Sequence, residues 1–160
     1  KKKLVVVLIT ISYLLSTIFF AEDYLYHAPK SNALAMNYGW ADLIPRLMPI
    51  ANRFEEVRFS RSLSEPHIFM AFYNKIDPKI YQEYSPSWLV FEKQRLKFLD
   101  QYDGYYLGKY RFGDLKYPDK VTKPTLFIGR PDEFPSDVSN YIKVYYPNGT
   151  PAMLVVEKQP

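Results

Sequence analysis

The sequence predicts an α/β protein, with one N-terminal transmembrane helix followed by a compact mixed-sheet domain that has helices packed on it and a C-terminal β-hairpin. Three patterns predict it. An uncharged apolar run from Leu4 to Ala21 follows Lys1, Lys2 and Lys3, proline-led helical patterns occupy the middle, and aromatic and β-branched runs occupy the end.

The apolar run holds 18 residues. As a helix it is about 27 Å long at roughly 1.5 Å per residue, close to the ~30 Å hydrocarbon core of a bilayer. Lysines beside a span stay on the cytoplasmic side, whereas Glu22 and Asp23 contribute little to orientation. The chain beyond about residue 22 is therefore expected outside the cytoplasm, held at the cell membrane. Two other readings compete. A buried core helix seldom stays apolar all round for this length. A cleavable signal peptide has a shorter apolar segment, and Phe19 and Phe20 stand where small residues precede a cleavage site. The expected divisions are a span with its basic flank at 1–23, a juxtamembrane connection at 24–40 and an extracytoplasmic domain at 41–160. Because the chain begins with Lys and not Met, it is expected to be the tail of a longer protein.

The domain of about 135 residues is large enough to bury a core without staples. With no cysteine there is no disulfide framework, thiol nucleophile or cysteine-based metal site. The net charge of +4 includes the three flanking lysines, and without them 18 basic residues face 17 acidic ones. That balance carries no footprint for a polyanion, so nucleic acid is excluded as an expected partner. The 15 Tyr, 11 Phe and 2 Trp suit half-buried strands, a membrane boundary or a sugar-stacking surface. Tyr24 and Tyr26 belong to the boundary, and the others are read as sheet core and surface.

A polar, flexible connection is expected from Lys30 to Asn37. Asp42 is placed as the cap of a helix running to about Phe54, with Leu43, Leu47, Ile50 and Phe54 on one face. In that helix Pro45 falls in the first turn and Pro49 marks a kink or break. Val57 and Phe59 alternate with Arg58 and Ser60 as in a half-buried strand. Ser64-Glu65-Pro66 predicts a serine-capped helix through Ile68, Phe69, Phe72 and Tyr73, and Asp77-Pro78 predicts a third, short one capped by Asp77. Residues Pro86 to Asp100 read as helical or irregular. Tyr105 to Phe112 and Thr125 to Gly129 read as strands, and Pro131 to Asp137 as a loop that begins a short helix. Tyr141 to Tyr146 and Ala152 to Glu157 form an antiparallel hairpin around Asn148-Gly149, a pair suited to the positive φ angles of a tight turn.

Motifs for chemistry are sparse. His27 and His67 lie forty residues apart with no ligand spacing between them, so no metal site is expected. His67, in the first turn of its helix, reads as solvated or capping. His27 and Lys30 lie just past the span, where they are either solvated boundary residues or partners for a lipid phosphate. Gly104, Gly108 and Gly113 are too widely spaced for a phosphate loop and read as strand bends or bulges. No nucleophile-elbow serine occurs. Glu55-Glu56 and Asp132-Glu133 are weak acid–base pairs, since strand neighbours point apart and the second pair sits in a loop. Asn148-Gly149-Thr150 fits a glycosylation acceptor, but its turn role explains it. These residues assemble no catalytic constellation.

The succession of a span, Tyr26-His27-x-Pro29, Tyr38-Gly39, a helix, Val57 to Ser60, Pro66-x-x-Phe69, Asp77-Pro78-x-x-Tyr81-Gln82 and Tyr146-Pro147-Asn148-Gly149-x-Pro151 resembles the C-terminal end of bacterial family 39-like membrane glycosyltransferases. These are relatives of protein mannosyltransferases and lipid A aminoarabinose transferases. The resemblance covers nearly the whole chain through short motifs, and Pro45 and Pro49 depart from it. It implies a polytopic enzyme passing a sugar from a polyprenyl-phosphate carrier to an extracytoplasmic acceptor, with its acidic catalytic residues upstream of this segment. The chain would then be a non-catalytic part that covers the membrane-embedded site. Its partners would be membrane lipid, the polyprenyl-phosphate sugar and the upstream transmembrane domain. No cofactor is expected in the segment, and any divalent metal would belong to the parent enzyme. Tyr24, Tyr26, His27 and Lys30 are then the candidates for contact with the carrier phosphate. The rival expectation is a singly anchored extracytoplasmic module that binds a glycan or a protein.

Overall fold

A computed structural model describes all residues, 1–160. The chain divides into two compact units, Lys1–Met36 and Asn37–Pro160.

In the first unit, helix α1 (Lys2–Glu22) passes through a π-helical turn (Asp23–His27) into one further α-helical turn, α2 (Ala28–Ser31). No side chain of α1 is buried, which removes the core-helix reading. The hydroxyls of Thr10 and Thr17 donate to the carbonyls of Val6 and Tyr13 at 3.0 and 2.9 Å, so they are satisfied without water. The helix is long and apolar enough to cross a bilayer. It continues for 30 residues, Lys2–Ser31, so the non-helical connection begins after Ser31, close to the Lys30 at which the polar, flexible segment was expected to start. Pro29 did not stop it. Proline sits at the start of α2, and the wider turn just before it relieves the clash that its ring would make with the carbonyl four residues back.

The second unit is built on a six-stranded mixed sheet of β1 (Glu56–Ser60), β2 (Tyr105–Leu107), β3 (Tyr110–Gly113), β4 (Thr125–Gly129), β5 (Ile142–Tyr145) and β6 (Pro151–Lys158). The spatial order is β2-β3-β1-β4-β6-β5. Strand β1 runs parallel to β3 and β4, while the β2–β3, β4–β6 and β5–β6 pairs are antiparallel. Helices α3 (Trp40–Ala51), α4 (Pro66–Tyr73), α5 (Pro78–Trp88) and the single turn α6 (Val90–Lys93) come between these strands in sequence or before them. Val57 and Phe59 of β1 pack with Leu43 and Leu47 of α3 and Met70 of α4, so this face of the sheet holds the main core. On the opposite face, Phe127, Leu154 and Val156 form a smaller core with Leu115 and Phe134 from the loops.

Several local expectations are corrected. Helix α3 is entered from Gly39 at φ +106°, not from Asp42, which instead pairs with Arg46 one turn on at 2.8 Å. A Cβ at Gly39 would lie 2.9 Å from Val144 Cγ1, so both backbone and packing demand glycine. Neither Pro45 nor Pro49 breaks α3. Both lie on its exposed side, where the carbonyls they leave unpaired meet water, and the buried stripe of Leu43, Ile44, Leu47 and Ala51 holds the helix together. Helix α4 begins at Pro66 as expected, but Ser64 does not cap it. Ser64 and Glu65 both take positive φ, and the Ser64 side chain makes no cap bond. The Asp77 cap is present, its Oδ1 accepting from the Lys79 amide at 2.8 Å.

Tyr105 to Phe112 is not one strand. Gly108, at φ +61°, turns it into the β2–β3 hairpin. The β5–β6 hairpin forms as expected, although only Gly149 takes positive φ, after a turn in which its amide donates to the Tyr146 carbonyl at 2.9 Å. Strand β1 was expected to be half-buried. It is central, and only Arg58 escapes burial.

Candidate functional site

The four residues expected to meet a carrier headgroup lie on two successive turns at the end of the first unit. Tyr24, Tyr26 and His27 occupy the π-helical turn and Lys30 follows in α2; all four are exposed. Tyr24 stacks on Phe20 of α1 with ring centroids 5.8 Å apart. His27 Nε2 lies 2.8 Å from Glu22 Oε1, a contact between residues five apart that the i+5 spacing of the π turn makes possible. No hydrogen bond joins the four to one another. They form an exposed aromatic and cationic collar, the composition of a membrane–water boundary.

In the second unit the sheet brings together a charged group that the sequence did not single out. Glu56, Arg58 and Ser60 share one face of β1 by strand alternation. Arg58 is in register with Arg111 of β3 on one side and with Phe127 of β4 on the other. Glu56 is buried, with a side chain 3% exposed, and gathers three cations. Arg58 Nε donates to its Oε1, while Lys123 Nζ and Arg111 Nε approach Oε2 at 2.6 and 3.5 Å. Burial alone would raise the Glu56 carboxyl, but the bonds from Lys123 and Arg58 outweigh it and hold the group below the usual carboxylate range. Two shallow concavities open beside Arg58, of about 210 and 170 Å³. A usable signal was present in the sequence. Glu-x-Arg places both residues on one strand face, and an arginine between Tyr110 and Phe112 marks the side of β3 that helices do not cover.

A second carboxylate locks the edge of this face. Glu133 accepts from the hydroxyls of Ser60 and Ser62, the latter at 2.7 Å, and from the Arg130 amide at 2.7 Å. It ties the 3-10 turn Pro131–Glu133 to the end of β1.

His67 is not solvated. It is 4% exposed, shares a 2.9 Å hydrogen bond between Nδ1 and the Tyr105 hydroxyl, and is enclosed by Tyr81, Trp88, Tyr105 and Phe112. Desolvation pushes its pKa down from 6.5 to about 4, and burial, aided by Asp100, Tyr81 and Glu65, pushes Tyr105 up. Both are neutral at pH 7. The pair is enclosed within the core, with His67 at 4% and Tyr105 at 1% exposure.

No family model, curated protein or solved structure matches the chain.

Proposed function

We propose that the chain is the non-catalytic C-terminal domain of a polytopic membrane glycosyltransferase that moves a sugar from a polyprenyl-phosphate carrier to an acceptor outside the cytoplasm. The residues after about 22 lie on the extracytoplasmic side in this reading. The observation that carries it is the order of groups along one helix, a lysine flank, an apolar span and then the exposed Tyr24, Tyr26, His27 and Lys30. A carrier of this kind keeps its polyprenyl tail in the hydrocarbon and its phosphate at the headgroup level. Tyrosines at that level seat the polar end of the lipid, and Lys30 with His27 supplies hydrogen-bond donors to the phosphate oxygens. The domain beyond them excludes water from the reacting groups and shapes the entrance for the acceptor.

The test uses the complete protein in membranes with a polyprenyl-phosphate sugar that carries a photoreactive group. Cross-linking is expected on the peptide containing Tyr24 to Lys30, and His27→Ala with Lys30→Ala should reduce both labelling and turnover. Unchanged labelling and turnover in that double variant would remove the proposal. Sidedness is read separately. The chain has no native cysteine and Ser139 is exposed, so a single Ser139→Cys should react with an impermeant maleimide added to intact cells.

A further inference from the structure

The positive charge on the sheet face opposite the helices exceeds what its own carboxylates neutralise. The two concavities beside Arg58 are lined by five cations (Arg58, Arg111, Lys116, Lys120 and Lys123) and two carboxylates (Asp103 and Asp114), and ion pairing adds Arg61 and Glu56 behind them. The whole domain is nearly neutral, so this is a local concentration. Asp114 is held by Arg61 and Lys116, and Asp103 by the Asp114 amide at 2.8 Å with Lys116 at 4.0 Å. Lys120 has no carboxylate within ion-pair distance.

Two arginines define the geometry. Arg58 and Arg111 are direct partners on adjacent parallel strands, where like charges side by side repel. Each turns its Nε towards Glu56, and none of their terminal guanidinium nitrogens has an acceptor in the protein. Arg58 is held further by the Phe127 ring, its guanidinium carbon 5.7 Å from the centroid. Glu56 and Phe127 thus fix the stem of the fork and leave its tips facing the concavities. An arginine held in this way loses little further freedom on binding, and two paired forks with lysines on either side suit a multiply charged tetrahedral anion better than a single carboxylate.

The geometry points to an anion site at Arg58 and Arg111, flanked by Lys116 and Lys120, for a phosphate or diphosphate group borne by a soluble ester or by a lipid. It does not depend on the sugar-transfer reading, because every residue in it lies within the second unit and none belongs to the juxtamembrane collar.

The test uses the full chain in phosphatidylcholine nanodiscs, with the arginine Nε–H resonances followed by NMR. In one arm inorganic pyrophosphate is added. In the other, phosphatidic acid replaces part of the lipid and no soluble phosphate is present. Shifts at Arg58 and Arg111 in the first arm alone assign the site to a soluble phosphate ester, and shifts in the second assign it to a lipid-borne one. No shift in either arm overturns the proposal. Arg58→Gln with Arg111→Gln should weaken binding by about tenfold or more, as loss of two charge-assisted forks requires. Because that variant also strips Glu56 of two partners, Lys120→Gln serves as the second variant. It touches no ion pair and should weaken binding by roughly two- to threefold while the melting temperature stays unchanged. Arg46→Gln, on α3, should leave binding unchanged. Equal affinity in folded Arg58→Gln/Arg111→Gln and wild-type protein would also overturn the site.

Discussion

The two faces of the sheet bury a titratable group in opposite ways. On the helix-covered face His67 lies among aromatic rings with one hydroxyl partner, and the fold keeps it by leaving it neutral. On the other face Glu56 is equally buried but keeps its charge, because three cations surround it. A group that titrates near neutral pH can be enclosed by apolar surface at the cost of its proton affinity, whereas a carboxylate in the interior must be paired. The first arrangement rigidifies a core. The second leaves charge over at the surface, where a ligand can meet it.

The sharpest way to break this contrast is to remove aromatic packing from the helix-covered face. Trp40 is 1% exposed, stacks on Phe69 with centroids 5.4 Å apart and tilts against Phe59. Trp40→Ala should cost about 3–5 kcal/mol, measured by urea unfolding followed by circular dichroism of the full chain in micelles. A cost below about 1 kcal/mol would mean that this face is not the main core.

Titration gives the next largest effect. The folded pKa of His67 is about 4 and the unfolded value 6.5. The unfolded chain therefore binds more protons between these values, and the His67 contribution is complete above pH 6.5 and lost as pH falls towards 4. The difference is about 3 kcal/mol at roughly 1.4 kcal/mol per pH unit. His67→Phe should flatten the stability profile in that window; a profile as steep as wild type would show that His67 is not the group responsible. The depressed Glu56 group has the same sign but acts lower, its stabilisation present above pH 4.5 and lost as pH falls through the lower folded pKa.

Glu56→Gln tests the other face directly. Leaving three partly exposed cations without their carboxylate should cost about 1–3 kcal/mol, less in high salt because the cations reach solvent. The same variant should bind pyrophosphate more tightly than wild type, since the surplus charge grows. Measured together, lower stability with higher anion affinity would separate the charged face from a purely structural ion pair.

The smallest effect is expected at the surface. Arg46→Ala breaks an exposed pair with Asp42 on α3 and should change stability by no more than about 0.5 kcal/mol in the same urea unfolding measurement.

Helices and strands were legible where sequence spacing alone controls them. The Asp77-Pro78 start and the Asn148-Gly149 hairpin formed where expected, and of the expected α3 stripe Leu43 and Leu47 are buried while the helix ends at Ala51, short of Phe54; capping, turn chemistry and amphipathic spacing are short-range. Gly39 as the entry to α3 was missed, since its need for glycine comes partly from Val144, more than a hundred residues away. Gly108 was read as a strand bend or bulge and is instead the turn of the β2–β3 hairpin, a distinction hidden because aromatic strand formers continue on both sides of it. At the candidate site, the exposed collar of Tyr24, Tyr26, His27 and Lys30 was visible from its distance past an apolar run. The cationic face was not, because Glu56, Arg58, Arg111 and Lys123 come from three separated stretches of chain.

By itself the sequence determined an apolar helix able to cross a bilayer and an α/β domain after it, since both follow from local patterns of hydrophobicity. Only the tertiary structure decided which charges meet. Strand order placed Arg58 beside Arg111 and put Glu56 beneath them, and the packing of α4 and α5 on β2 and β3 enclosed His67. The physical reason is the same in each case. A side chain's charge state and its free hydrogen-bonding groups depend on neighbours across the sheet, and those neighbours are distant in the chain.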